Sequence, residues 1–125
     1  MSGRLLVDAM NVIGSRPDGW WRDRDGAKRR LAAQLASLAE SGHDVAVVFD
    51  GHEPVEPIEA PGVTVHFAPG GPNAADHRIV ELLEADAEPA GVEVVTSDAD
   101  LSRRARALGA DVTGSGAFRR TLDAL

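Results

Sequence analysis

Apolar residues occur along the chain either in short continuous runs or at helical spacing. The runs at 4–7, 45–49 and 92–96 predict strands. The run at 45–49 is apolar throughout, which is typical of a strand buried on both faces of a sheet. Residues 63–67 alternate between apolar and polar and predict another strand, and 111–113 predict a short last one. We therefore expect five strands.

Helical stripes and capping residues lie between most of these strands. Leucine and alanine recur every three or four residues from about 25 to 41, which predicts a helix that a glycine ends. Asn73 is expected to cap a second helix, Ser97 or Asp98 a third, and Ser115 the last. The segment after the first strand is rich in glycine and proline and is expected to be a loop.

The predicted order of elements is β-α-β-β-α-β-α-β-α. Strands that alternate with helices favour an α/β fold, a three-layer sandwich with a mostly parallel central sheet. The link at 51–62 contains three prolines and no helical pattern, yet it is long enough for a parallel crossover made of loop. A length of 125 residues suits a single domain over 1–125.

Composition and charge narrow the classes of function. The chain is 43% hydrophobic and 26% charged, which is typical of a globular protein. It carries 20 acidic and 13 basic residues, a net charge of −7, which disfavours nucleic-acid binding by bulk electrostatics. No apolar run approaches the ~18 residues of a membrane helix, so no membrane partner is expected. Because the chain has no cysteine and no signal-peptide pattern, we expect a cytoplasmic location.

Aspartates follow three of the predicted strands. Asp8 and Asp50 end the first two, and Asp98 comes just after the fourth. Asp76 lies in the first turn of the helix after the third strand, and Asp100 is two residues beyond Asp98. Because the carboxyl ends of parallel strands share one edge of the sheet, these side chains are expected to converge there.

Carboxylates crowded in this way repel one another, so either their pKa values rise or a cation lies among them. Oxygen ligands suit Mg²⁺ or Mn²⁺, and such sites serve phosphoryl chemistry. The pattern therefore predicts metal-dependent phosphodiester hydrolysis. Taken singly, each acid has a structural alternative: Asp98 as a helix cap and Asp76 as a partner of the helix dipole. Asp8 fits that alternative least, since no helix is expected directly after it.

Five segments stand out in order along the chain: LVDAMNVIG at 6–14, VVFDGH at 47–52, ADHRI at 75–79, VTSD at 95–98 and GSGAFR at 114–119. Together they resemble motifs of NYN-domain proteins in the PIN-like nuclease superfamily, and of the YacP-like group of bacterial endoribonucleases in particular. The first segment is similar to the family's opening VDGYNVI, and the third to its ADERI. The resemblance implies a Rossmann-like PIN fold, RNA as the substrate, and Mg²⁺ or Mn²⁺ at the acidic edge.

The resemblance also implies roles for single residues. It makes Asp50 a supporting acid and Asn11 a residue that positions substrate or water. Asp100 completes an Asp-x-Asp that resembles the wider NYN pattern, so it joins the predicted ligands. The predicted catalytic residues are Asp8, Asn11, Asp50, Asp76 and Asp98, and the predicted metal ligands are Asp8, Asp76, Asp98 and Asp100.

Predicted substrate contacts are Asn11, Trp21, Ser115 and Arg119. Indoles stack on single-stranded bases, and the N–H groups at the start of the last helix can receive a phosphate, with Arg119 one turn later. The alternatives are structural. At least one of Trp20 and Trp21 is expected to close the edge of the core, and Ser115 is also explained as an ordinary helix cap.

Three hypotheses of function follow. The first is a metal-dependent endoribonuclease that hydrolyses single-stranded RNA. The second is a catalytically weak PIN-like module that binds RNA or docks on a ribosome, which the acidic balance and small size favour. The third is a phosphatase with an aspartyl nucleophile. The third is disfavoured because methionine occupies position 10, where such enzymes often have a second aspartate.

Overall fold

A five-stranded sheet forms the centre of the protein, in a computed structural model that describes residues 4–125. All strand pairs are parallel, in the order β3-β2-β1-β4-β5. The prediction of a mostly parallel sheet is therefore confirmed, and no antiparallel pair occurs in the described part of the chain. The strands are Arg4–Asp8 (β1), Asp44–Asp50 (β2), Val63–Ala68 (β3), Val92–Val95 (β4) and Asp111–Thr113 (β5).

Helices cover both faces of this sheet. Helices α1, α2 and α5 pack on one face, and α3 and α4 on the other, which gives the expected three-layer sandwich. Short 3-10 helices precede α2 and β4. The helices are Ala9–Ile13 (α1), Arg24–Glu40 (α2), Ala74–Glu84 (α3), Ala99–Ala107 (α4) and Ser115–Asp123 (α5). None of the helices within residues 4–125 is both long enough and apolar enough to span a bilayer.

The central strands are buried on both faces because their side chains alternate between two apolar clusters. Val7 and Val47 lie in the cluster under α1, α2 and α5, and Leu6 and Val48 in the cluster under α3 and α4. Alternation with a period of two places neighbouring residues on opposite faces. A continuous apolar run is therefore what a central parallel strand requires.

Helix α1 begins directly after β1, where the sequence predicted a loop; that prediction was wrong. The helix has five residues, too few for a stripe of apolar positions to stand out. Ala9, Val12 and Ile13 are nevertheless buried in the core. Asp8 occupies the N-cap position, but its side chain accepts no capping hydrogen bond. Capping therefore does not explain why an aspartate stands there.

Two other helix starts differ from expectation. Asn73 precedes α3, but its φ of 66° is left-handed and its side chain makes no capping hydrogen bond. Gly114 holds the N-cap position of α5, so Ser115 is the first helical residue and not the cap. The segment 51–62 joins the parallel strands β2 and β3 without a helix or strand, as predicted.

Candidate active site

An open cavity of about 290 Å³ lies at the carboxyl edge of the sheet, and we call it the acidic cavity. The ends of β1 and β2, the first turn of α3 and the N-cap of α4 each contribute one aspartate to its wall. No lysine or arginine lines it. The lining residues are Asp8, Met10, Asn11, Asp50, Asn73, Ala75, Asp76 and Asp98. Four carboxylates far apart in sequence therefore surround one space.

Asp8 is the deepest of the four aspartates, with 5% of its surface exposed. Its Oδ2 accepts a hydrogen bond from Thr96 Oγ1 at 2.8 Å. Burial raises the pKa of Asp8 to about 6, the Thr96 hydroxyl opposes that rise, and the charges of the other three cavity aspartates add to it. Asp8 therefore carries a negative charge at neutral pH at a cost to folding.

Thr96 links two of the aspartates, a role that sequence reasoning did not assign. Its hydroxyl donates to Asp8 and accepts a hydrogen bond from the backbone N–H of Asp98 at 3.1 Å. Its own N–H donates to the carbonyl oxygen of Thr113 on β5 at 3.0 Å. The sequence feature that could have indicated this role is a hydroxyl residue directly after a buried strand and two positions before an aspartate.

Asp98 and Asp76 stand at the starts of α4 and α3. Asp98 Oδ1 accepts from the N–H of Leu101 at 2.8 Å, so Asp98 does cap its helix, while its Oδ2 has no hydrogen-bond partner in the part of the chain described. Asp76 is half-buried, and its pKa is raised, first by burial and then by the charge of Asp98, while Arg104 lowers it. Capping therefore accounts for only one oxygen of Asp98.

Asp50 and Asp100 are both exposed but differ in their partners. Asp50 lines the cavity, and its backbone carbonyl accepts from Lys28 Nζ at 3.2 Å. Asp100 does not line the cavity. It forms ion pairs with Arg103 and, at 3.9 Å, with Arg104 on the same helix. Asp100 thus stands beside the cavity rather than in its wall, although its charge adds to the rise in the pKa of Asp76.

Asn11 on α1 is held in one orientation at the rim of the cavity. Its Oδ1 accepts from the Ser97 N–H at 2.7 Å and from the Ser115 hydroxyl at 2.5 Å. A backbone N–H can only donate, so the atom that faces Ser97 is the amide oxygen. The Nδ2 group, with two donor hydrogens, is thus left for a ligand in the cavity.

Comparison with known proteins adds to this geometry. The family model described as the YacP-like NYN domain matches residues 5–125. The chain belongs to the YacP-like NYN domain family. This is a family of PIN-like nucleases. No curated protein matches the chain significantly.

Two crystal structures of Rae1 (YacP) from Bacillus subtilis are similar to this YacP-like NYN chain. One has a TM-score of 0.78 and 27% identity, and covers 97% of this chain and 74% of that one. A tryptophan-to-leucine mutant of the same protein has a TM-score of 0.77 and 26% identity, with 99% and 76% covered. The fold expected from the resemblance is therefore confirmed.

The donor chemistry of the acidic cavity fits a hard divalent cation. Within residues 4–125 no three carboxylate or imidazole side chains are close enough to form a preformed metal cluster. Mg²⁺, however, is usually held through one or two carboxylates and completes its shell with water. Four aspartates without a lining cation offer oxygen ligands and uncompensated negative charge. Both properties suit Mg²⁺ or Mn²⁺.

The other predicted contact residues of this YacP-like NYN chain lie outside the acidic cavity. Trp21 is 50% exposed with the Arg22 guanidinium 6.0 Å from its ring centre, whereas Trp20 packs against the core, as expected for one of the two. Ser115 is buried, and its N–H donates to Ser97 Oγ at 2.8 Å. That N–H is therefore not available to a phosphate. Arg119 lines a different cavity.

Proposed function

We propose that the protein is a divalent-metal-dependent endoribonuclease that hydrolyses phosphodiester bonds of single-stranded RNA, with Mg²⁺ or Mn²⁺ as its cofactor. One observation carries the proposal. Four aspartates from four elements surround one open cavity that no basic side chain lines, in a chain of a PIN-like nuclease family. Such an arrangement is costly to folding, and the helix cap that one oxygen of Asp98 forms does not explain why three other aspartates share the cavity.

Asp8, Asp76 and Asp98 would hold the metal, and Asp50 would support them at the rim. A bound divalent cation supplies an activated water and screens the charge that grows on the phosphate. The Thr96 hydroxyl fixes one oxygen of Asp8 through its 2.8 Å hydrogen bond, so that the carboxylate keeps one orientation. This is the task of a residue that orients a ligand without touching the metal.

Asn11 would position the substrate or the attacking water. Its oxygen is engaged by Ser97 and Ser115, so its Nδ2 is left to donate to a ligand in the cavity that Asn11 lines. A neutral donor can bind a phosphate oxygen without adding negative charge to a site that already carries four carboxylates. Asn11 therefore complements the aspartates, which can only accept hydrogen bonds when ionised.

A matched pair of substitutions tests the proposal. Asp98→Asn removes one cavity charge but keeps an oxygen that can cap Leu101, since asparagine is as good an N-cap as aspartate. Asp100→Asn removes the same charge two residues away, outside the cavity. With Mn²⁺ and labelled single-stranded RNA, Asp98→Asn should abolish cleavage and Asp100→Asn should retain it. Wild-type protein that leaves the RNA intact, or an Asp98→Asn variant that is as active as wild type, would overturn the proposal.

The second candidate is an RNA- or ribosome-binding module without turnover. The lack of a three-ligand cluster among the described residues favours it. Titration calorimetry separates the two candidates: the nuclease should bind Mn²⁺ and melt at a higher temperature when Mn²⁺ is added. A wild type that binds RNA with no metal and shows no shift in melting temperature would be the module.

A further inference from the structure

A second cavity, of about 430 Å³, lies between α2, α5 and the loop after α1, and we call it the arginine cavity. Its wall combines three guanidinium groups, two carboxylates and an indole. The residues that matter here are Arg16, Arg30, Arg119, Asp18, Asp123 and Trp20. We propose that this cavity binds a nucleotide at least about three positions away along the same single-stranded RNA that reacts in the acidic cavity. The inference rests on the proposed function and identifies where the rest of the substrate lies.

The arginines of this cavity retain donors for an anion. Arg16 is paired with Asp123, but Arg30 makes no ion pair within residues 4–125. Arg119 contacts carboxylate oxygens only at 3.5 Å in Asp18 and 3.9 Å in Asp123, and its buried Nε makes no hydrogen bond. Among the described residues, the Nη donors of Arg30 and Arg119 are thus unpaired or only loosely paired, and a phosphate could accept from them in the two-bond geometry that guanidinium groups favour.

Trp20 provides the aromatic wall that a base needs. The ring is held from several sides, since it packs on the core, meets the edge of Trp21 at 6.0 Å and has the Arg24 guanidinium 5.2 Å from its centre. A ring fixed in this way offers stacking surface at little cost in conformational entropy. The cavity volume also falls in the range of about 300–1,000 Å³ that is usual for small-molecule sites.

Helix α1 separates the two cavities by a short distance. Asn11 lines the acidic cavity and Ile13, two residues later, lines the arginine cavity. Positions two apart point to opposite sides of a helix, whose diameter with side chains is about 10 Å. A strand that runs around the helix, at about 3.4 Å per stacked nucleotide, needs at least about three nucleotides between the two cavities. The proposal therefore requires one RNA strand to pass around α1.

The distribution of charge along the chain agrees with this assignment. Segments 16–30 and 115–125, which supply most of the arginine cavity, hold 8 of the 13 basic residues and 4 of the 20 acidic ones. The remainder of the chain is strongly acidic. In a protein with a net charge of −7, most basic residues thus lie in the segments that form the arginine cavity, and three of these eight line it. This removes the objection that an acidic chain offers no surface for RNA.

Arg30→Ala and its matched control Arg106→Ala test the proposal. Both arginines are exposed on helices and each variant loses one positive charge, but Arg106 lies on α4, away from the cavity. With a long single-stranded RNA, Arg30→Ala should raise KM about five- to tenfold at unchanged kcat. The slope of log binding constant against log salt concentration should become shallower by about one. Arg106→Ala should change neither. A dinucleotide substrate, too short to reach the second cavity, should show no difference between the variants.

Binding without catalysis provides an independent readout. In EDTA, a nucleoside 5′-monophosphate should quench the tryptophan fluorescence of wild-type protein and compete with labelled RNA, whereas Arg30→Ala should weaken both effects. If inorganic phosphate competes as well as the nucleotide, the cavity is only an anion site and the proposal is wrong. If RNA is cleaved but Arg30→Ala and Arg106→Ala behave alike, this inference fails while the nuclease proposal stands. If Arg30→Ala weakens RNA binding but the wild-type protein never cleaves RNA, the nuclease proposal fails while the RNA-binding role of the arginine cavity stands.

Discussion

The acidic cavity and the arginine cavity lie on opposite sides of one short helix and treat their charges in opposite ways. In the arginine cavity, and elsewhere on the surface, carboxylates carry arginine partners, and the Arg4 and Arg16 guanidinium groups lower the pKa values of Asp86 and Asp123. In the acidic cavity no arginine lines the wall, and the pKa values of Asp8 and Asp76 rise. The four carboxylates of the acidic cavity have no arginine on its wall to balance them, and a bound cation would supply that balance.

The largest expected effect comes from removing the deepest charge. Asp8→Asn should reduce RNA cleavage by at least about 10³-fold, because metal-based charge stabilisation contributes several kcal/mol and each 1.36 kcal/mol is a factor of ten. Asparagine can still accept the Thr96 hydroxyl bond, so the fold should remain. Cleavage rates and circular dichroism of the same preparation check both points. Near-normal cleavage would mean that Asp8 is a structural residue.

The stability of the metal-free protein should depend on the ionisation of Asp8. Its pKa is about 6 in the folded protein against an ordinary value of 3.8, so between these pH values the folded state holds a proton that the unfolded state has lost. The contribution of Asp8 to the free energy of unfolding is therefore most favourable below about pH 4. It falls by about 3 kcal/mol in total as pH rises and levels off above about pH 6.

Urea unfolding in EDTA across this pH range, for wild type and Asp8→Asn, isolates that contribution. The difference between the two proteins should grow in favour of the variant as pH rises, since only wild type must bury the charge. Groups such as Asp86, whose pKa is lowered, give the opposite slope but cancel in the difference. Parallel curves for the two proteins would show that burial of Asp8 is not the cause.

The sequence predicted the fold and the acidic edge because both follow from short-range patterns. Buried runs identified the strands, and parallel pairing then required Asp8, Asp50 and Asp98 to share an edge. Helix α1 was not predicted, because its five residues are too few to form a periodic apolar stripe. The divergence of Asp100 from Asp98 could have been predicted, since positions two apart at the start of a helix point to different sides.

Contacts between distant segments were the least predictable. Thr96 and Asp8 are 88 residues apart, and Ser115 and Asn11 are 104 apart. A hydroxyl carries no sequence signal for its partner, so a helix cap was the natural assignment for Ser115. The second cavity was also invisible, because it arises where α2, α5 and the loop after α1 meet rather than from any one motif.

A smaller effect is expected from loosening Asn11. Ser115→Ala removes one of the two donors to its Oδ1, and a hydrogen bond of about 1 kcal/mol corresponds to about a fivefold loss of kcat. Ser102→Ala is the matched control, because its hydroxyl also donates to a carbonyl near the site but does not touch Asn11. Equal losses in both variants would indicate general destabilisation rather than a role for the Asn11 amide.

The smallest expected effect comes from removing one negative charge from the arginine cavity. Asp123→Asn removes the charge that pairs with Arg16 in an exposed ion pair and the charge that lies 3.9 Å from Arg119 Nε. Exposed ion pairs contribute at most about 1 kcal/mol, so the protein should lose little stability. The freed guanidinium groups should instead bind RNA about twofold more tightly, a gain of about 0.5 kcal/mol that disappears at high salt. Removing a carboxylate from the acidic cavity should instead reduce cleavage, because the proposed metal ion binds there through negative charge. If Asp123→Asn weakens RNA binding at low salt, Asp123 serves to hold the arginines in place, and the two cavities differ less than their charges suggest.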